Sequence, residues 1–504
     1  MSDLTYSHGY YHELSPPFLR FFLLLNGLSN ATGDGSYRYC ELGYGQGVCA
    51  NLHAAANPRG EFWGTDFNPD HAVFAQSLAR QAQLPAHWLA LGFEDMLEAS
   101  LPEFDFITLH GVWSWINASA RHAVVEFIRR RLRPGGIVYV SYNVMPGWSA
   151  EKPLRDLLWL HSELAGGRGA STATRISDSL AFAQRLRRGR AAYFEQNAKA
   201  GQMLDEMLRD DVNVVAHEYF NRSWHITYFA ELAETLEAAG LGFACSVHKS
   251  DLVGESLQRR QACGVADLAL NPALRETTTD FLLNRRFRRD VFVRGANRLS
   301  RPERNARLRE VALVLLRPAA AIGTTVQTPY GSISLDPEIA TRLVQALDVA
   351  DAPVPLGRLI DDAGLGGYPV ERVFETAAAL VAQVHAFPVF PEDLAAHDPV
   401  PARAMNRAVA RQARFDDTLR YLASPVTGHA IESARAERLF LLAWEQGART
   451  ASQLADVAWP WHEAPERAQD ADAVRRDLAA RAEQFIETVV PMWRRLGLLE
   501  ERAS

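Results

Sequence analysis

The chain has 504 residues, 48% of them hydrophobic, and a formal net charge of −7 from 53 basic and 60 acidic side chains. That length accommodates about three or four domains, and the negative balance argues against binding a phosphate backbone, which takes clustered cations. The four cysteines, Cys40, Cys49, Cys245 and Cys263, lack metal-ligand spacing, which argues against a disulfide framework or a zinc site and predicts a reducing cytoplasm.

Residues 1–36 form a leader with Tyr6, Tyr10, Tyr11 and a predicted helix over about 17–28. Its apolar run, Phe18 to Leu25, contains Arg20 and falls well short of the roughly 20 residues of a membrane span. Nor does it follow a basic start of signal-peptide type. The leader suits either a lid over a pocket, which would bring in Tyr10 and Tyr11, or simple packing of its aromatics.

Tyr39 to Ala50, YCELGYGQGVCA, reads as a short strand, a turn at Gly43, Gly45 and Gly47, and a helix over 48–56. Glycine serves where φ is positive or where backbone must lie against a ligand. A dinucleotide fingerprint would place its third glycine where Val48 stands. Glu41 suits a cationic ligand better than a pyrophosphate, because buried like charges repel. S-adenosylmethionine (SAM), with an ammonium, a sulfonium and no phosphate, fits this turn.

The next segment, EFWGTDF at 61–67, reads as a second strand bearing Asp66 and Phe67, with the acid placed to accept from both ribose hydroxyls. A third short strand, Trp88 to Leu91, leads to Phe93, Glu94 and Asp95, where an acid can take an adenine amino group and an apolar side chain can cover the ring. Phe104 to His110 and Ile137 to Tyr142 supply a fourth and a fifth strand. Such alternation predicts a parallel sheet with helices on both faces.

Ligands in open α/β sheets bind at the carboxyl ends of the strands. After the fourth strand stand His110, Trp113 and Trp115. His110 is either a base, a cofactor contact or a structural histidine. The two tryptophans either enclose a cation or pack helices. After the fifth strand stand Tyr142, Asn143 and Trp148. An amide carbonyl suits a neutral amine, so Asn143 is the expected substrate-orienting residue, with Tyr142 and Trp148 beside it.

Beyond this, 149–212 reads as a helical connecting segment with a glycine-serine break, AGGRGAST. Residues 213–300, with a strand-like VNVVAHEY, read as a small mixed α and β unit. There His217 and Glu218 either reach the cleft or make an interdomain contact. Residues 301–400 follow a winged-helix order, with a strand pair around TPYGSISL. Yet VERVFETAAALV has one arginine against two glutamates, too little charge for DNA, which favours protein contact or a homodimer. A last helical unit over 401–504 includes a long helix predicted from about 470 to 496.

ELGYGQG, Asp66 and LRPGG resemble the class I SAM-dependent methyltransferases. With FWGTDFNP, HGVWSWI, SYNVMPGW, VAHEYFN and FLLNRRFR, the chain is similar to bacterial methyltransferases that carry a methyltransferase regulatory domain, the group that includes rickettsial outer-membrane-protein lysine methyltransferases. The likeness implies a Rossmann-like α/β sheet at 37–148, a small α+β regulatory domain at 213–300, and mostly helical, winged-helix-like C-terminal domains. It implies SAM as cofactor, no metal, and transfer to a protein or peptide at lysine nitrogen. Glu41, the three glycines, Asp66, Phe67, Phe93, Glu94, Asp95 and His110 would then hold the cofactor. Trp113, Trp115, Asn143 and Trp148 would bind substrate, and Asn143, Tyr142, His110 and Tyr11 would serve the reaction. Two alternatives stay open: an N- or O-methyltransferase of a small metabolite or modified peptide, and a non-catalytic SAM-binding scaffold.

Overall fold

The structure, a computed structural model, describes residues 8–29, 35–165, 170–265, 271–328, 331–461 and 471–500. Tyr6, Asp470 and residues 166–169 of the glycine-serine break lie outside them. A seven-stranded sheet organises the first 300 residues: β1 Tyr37–Leu42, β2 Gly60–Asp66, β3 His87–Ala90, β4 Phe104–Leu109, β5 Leu132–Asn143, β6 Gly242–Ser246 and β7 Phe287–Val293. In space the order is β3, β2, β1, β4, β5, β7, β6. The first five strands pair in parallel, and β7 runs antiparallel to both β5 and β6.

Strand β4, FDFITL, is buried at every position, as expected of a central parallel strand covered on both faces. Alternate residues go to opposite layers. Tyr37, Tyr39, Phe62, Phe106 and Tyr139 pack with α1 (Pro16–Leu25), α2 (Val48–Ala56) and α3 (Pro69–Gln81). Cys40, Leu42, Ile107 and Val138 pack against α4 (Phe93–Glu98), α5 (Ala118–Arg131) and a helix at Phe229–Glu237. The period of two therefore splits the core between the two helical layers.

Two expectations change here. The strands of 213–300 form no separate sheet, because β6 and β7 complete the one that carries the glycine turn. Val212–Tyr219 is a helix rather than a strand: Asp211 caps it by accepting the N–H of Asn213, and adjacent Val215 and Ala216 are both buried on one side. FLLNRRFR fixes β7 through fully buried arginines. Arg288 pairs with Asp280 at 2.7 Å, Asp290 at 2.7 Å and Glu276 at 3.0 Å.

The C-terminal region adds a three-stranded antiparallel sheet, with Ala312–Leu315 between Val354–Pro355 and Ala386–Val389. Helix Val370–Ala382, which a DNA-binding winged helix would lay in a groove, is buried at Val373, Phe374 and each residue from Thr376 to Ala382. The long final helix is interrupted by a π-turn at Phe485–Val489, just before Pro491, whose ring cannot donate a backbone hydrogen bond. These units fold back on the leader and α2. The side chains of Ser15 and Asn57 both donate to the Gly428 carbonyl, at 3.0 and 2.9 Å, and Arg20 and Arg59 pair with Asp393. Among the described residues no helix is long and apolar enough to cross a membrane.

Candidate active site

The glycine turn is held in a conformation other residues resist. Gly43, Gly45 and Gly47 have φ of +77°, +58° and +69°. A Cβ on Gly43 would lie 2.5 Å from Val112, and one on Gly47 2.5 Å from Ala75 of α3. Asp66 supports the turn from β2 by accepting the Gly45 N–H at 3.0 Å, with Asn68 N–H and His71 Nδ1 at 2.9 and 3.1 Å.

In front of the turn lies a cavity of about 230 Å³. Glu41, Tyr44 and residues 45–49 form its floor; His110, Gly111, Trp115 and Asn143 enter from the ends of β4 and β5. Gly9 and Tyr11 come from the leader, Glu218 from helix Val212–Tyr219, which we label α6, and Phe287 from β7. Among the described residues no lysine or arginine lines it, so a phosphate would find no cationic partner there, while Glu41 and Glu218 supply two carboxyls.

Burial pushes the Glu41 carboxyl up to about 8, and its Oε2 is buried without a hydrogen-bond partner. An orphaned acid beside a glycine turn is the chemistry expected of a pocket for a cationic nucleoside cofactor, so the residues present fit SAM. Burial pushes His110 down to about 4, against a smaller upward pull from Glu13. It is therefore neutral near pH 7, and its Nδ1 lies 2.9 Å from the Tyr139 hydroxyl. That makes His110 a hydrogen-bonding and stacking group and a poor base. Tyr11 stacks on it with ring centroids 3.8 Å apart, while the Tyr11 N–H contacts the Cys49 sulfur at 3.4 Å and its carbonyl faces His53 Nε2 at 3.2 Å. Tyr11 lines the cavity, while Tyr10 packs against the hairpin of Tyr421–Ser424 and His429–Glu432.

Asn143 and Tyr142 are separated by the alternation of β5. The Asn143 side chain faces the cavity with no protein hydrogen-bond partner among the described residues, and its N–H donates to Ser114 Oγ at 2.8 Å. Tyr142 is buried on the other face, where its hydroxyl donates to Asp290 at 2.6 Å; burial and Asp290 raise its pKa far above the usual phenol range. A base role for Tyr142 is therefore replaced by a structural one. Trp113 packs in the core, whereas Trp115 lines the cavity. Trp148 lies outside the cavity lining: its indole donates to the Arg286 carbonyl at 2.9 Å and the Arg286 guanidinium stacks 3.8 Å above it.

Asp66, Phe67, Phe93, Glu94 and Asp95 are likewise not in the lining; they sit at the carboxyl ends of β2 and β3. Phe67 is 81% exposed, Glu94 and Asp95 are exposed, and Phe93 is half-buried. Sequence reasoning missed Tyr44, Gln46, Cys49 and Phe287. The first three stood inside the motif itself. Phe287 reaches the site only because β7 pairs with β5 so that it lies opposite Asn143, a long-range register that no local pattern announces.

Comparison with known proteins agrees with this geometry. Residues 40–138 match the family described as a methyltransferase domain, and residues 211–294 the one described as a predicted methyltransferase regulatory domain. The chain is 35% identical over 451 residues to an uncharacterized protein of Synechocystis, covering 88% of this chain and 87% of that one. Among solved structures, PKMT2 from Rickettsia typhi in complex with AdoHcy has the same fold, with a TM-score of 0.65, 17% identity, and coverage of 98% of this chain and 99% of that one. A second structure of PKMT2 gives a TM-score of 0.66 at 18% identity, covering 97% and 98%.

Proposed function

The chain belongs to the family of SAM-dependent methyltransferases that carry a methyltransferase regulatory domain, and we propose that it methylates a protein or peptide at a lysine nitrogen. The observation that carries this reading is the unpartnered Asn143 carboxamide, facing a cation-free cavity walled by Tyr11, Trp115 and Phe287. A carboxamide oxygen can accept from a neutral amine and tolerate the methylammonium product, and aromatic faces favour such a cation. The likeness to PKMT2 supports a protein acceptor.

Bound SAM supplies a methyl group on a sulfonium, open to in-line attack. The chain's own residues align and shield that reaction. Glu41 faces the cofactor's positive charge, and the glycine turn lets backbone approach without side chains. Tyr11, held over His110, excludes water from above. Asn143 orients the amine lone pair. The unpaired thiols of Cys40, Cys49, Cys245 and Cys263 suit a reducing cytoplasm.

Incubation of the protein with tritiated SAM and a host lysate, followed by separation by size and acid hydrolysis, tests the acceptor. Label recovered as methyl-lysine in protein is the expected result. Label confined to small molecules would replace the acceptor by a metabolite, and no label despite SAM binding would leave a scaffold.

A further inference from the structure

We infer that Glu218, in the segment matched as the regulatory domain, is the acceptor-side acid: it receives the incoming lysine ammonium and takes its proton. The inference rests on the lysine reading above. It gives the regulatory segment a direct part in the active site.

Among the described residues the cavity is lined by two carboxyls and by no lysine or arginine. Glu41 lies near the end of β1, just before the glycine turn, and in the proposed reading faces the cofactor's charge. Glu218 stands on α6 at the exposed mouth, and among the described residues it has no ion pair or hydrogen-bond partner. Burial raises its carboxyl above the ordinary value, so it takes up a proton more readily than a free glutamate.

The position of Glu218 is fixed by the chain that follows it. Arg155 donates to the Tyr219 carbonyl at 2.8 Å and also to the Asn221 carbonyl, holding the chain immediately after Glu218. The following loop is tied to the catalytic loops: Asn221 Nδ2 donates to the Trp115 carbonyl at 3.3 Å, and the His225 N–H to the Ser114 carbonyl at 2.7 Å. The Thr227 N–H then reaches the Asn143 carbonyl at 3.4 Å. One segment therefore connects Glu218 with the end of β5 where the amine must sit.

The chemistry closes without another reagent. A lysine ammonium gives one proton to the Glu218 carboxylate and becomes a neutral amine. The amine lone pair forms the new N–C bond as the C–S bond of SAM breaks, with that electron pair remaining on sulfur. Protonated Glu218, open to water at the mouth, then returns its proton to solvent.

The test compares wild type, E218Q and E218D in tritium labelling of lysate protein, with SAM affinity measured by calorimetry and n-butylamine as a competing lysine head group. E218Q should lose at least tenfold in labelling rate, keep its SAM Kd within twofold and lose sensitivity to n-butylamine, while E218D recovers part of the rate. Protein labelling by E218Q at the wild-type rate, or a matching loss of SAM affinity, would overturn the role of Glu218 and leave the lysine reading intact. Failure of the wild type to label any protein would remove the lysine reading, and the inference with it.

Discussion

The Tyr10 hydroxyl accepts the backbone N–H of Ala430 at 2.8 Å, joining residues 420 positions apart. Its ring lies against His53, Tyr421 and His429, with centroids 5.0, 5.1 and 5.3 Å away. The next residue, Tyr11, lines the cavity. The hairpin of Tyr421–Ser424 and His429–Glu432 thus anchors the residue next to Tyr11, and we propose that this anchor helps retain the cofactor.

Tyr10→Phe removes that acceptor and leaves a buried N–H unpaired, at a cost of about 1–3 kcal/mol. The expected outcome is a lower melting temperature together with several-fold faster SAM dissociation, read by calorimetry and stopped-flow displacement. Lost stability with unchanged SAM kinetics would reject the coupling and leave Tyr10 a packing residue.

Glu41 predicts a pH dependence of the free protein. Its carboxyl is raised from 4.5 to about 8 in the folded state, so between those values the folded chain holds a proton that the unfolded chain has released. Stability therefore falls as pH rises through this window, by roughly 4–5 kcal/mol at about 1.4 kcal/mol per pH unit. Glu41→Gln should remove most of this slope and raise the melting temperature at pH 8. A ligand cation favours the charged form, so SAM binding at pH 7 should release close to one proton in the wild type and none in the variant. Calorimetry in buffers of different ionisation enthalpy reads this directly; identical proton release from both proteins would show that Glu41 does not face the cofactor's charge.

Much of the cofactor half was legible because its signals are local. The strand, glycine turn and helix of YCELGYGQGVCA appear where the spacing predicts, with the helix at Val48–Ala56. The acceptor half was harder to read. Asn143, Glu218 and Phe287 meet only through the antiparallel insertion of β7 beside β5 and the docking of α6. VNVVAHEY carries β-branched residues that favour strand locally, yet its Asp211 cap and tertiary packing make it a helix. Tyr142 shows the same limit: its position after the fifth strand suggested chemistry, and its partner Asp290 lies 148 residues further on.

The buried arginine cluster predicts a large stability effect with no change of chemistry. Arg288 is fully buried and holds Asp280, Asp290 and Glu276. Arg288→Ala strands those carboxyls in the core, and removing one partner of such a group costs about 3–5 kcal/mol. The variant should unfold at much lower denaturant, and protein that remains folded should keep the wild-type SAM Kd. A fall in affinity without lost stability would mean that this network serves the cofactor rather than the sheet.

Asn143 and Tyr142 offer the sharpest separation of structure from catalysis, since they are adjacent in β5 and face opposite layers. Tyr142→Phe deletes the donor to Asp290, and a lost bond to a charged group costs about 1.5–3 kcal/mol, so its melting temperature should drop while kcat stays within about twofold. Asn143→Ala should behave in the opposite way. It removes a carboxamide without a protein partner, so stability and SAM affinity should hardly change, while kcat falls at least tenfold because the amine loses its orientation. Steady-state kinetics and thermal melts of the two variants together decide the assignment. If Tyr142→Phe lost the rate and Asn143→Ala kept it, the reacting amine would have to lie on the other face of the sheet, beyond the reach of Glu41 and the glycine turn.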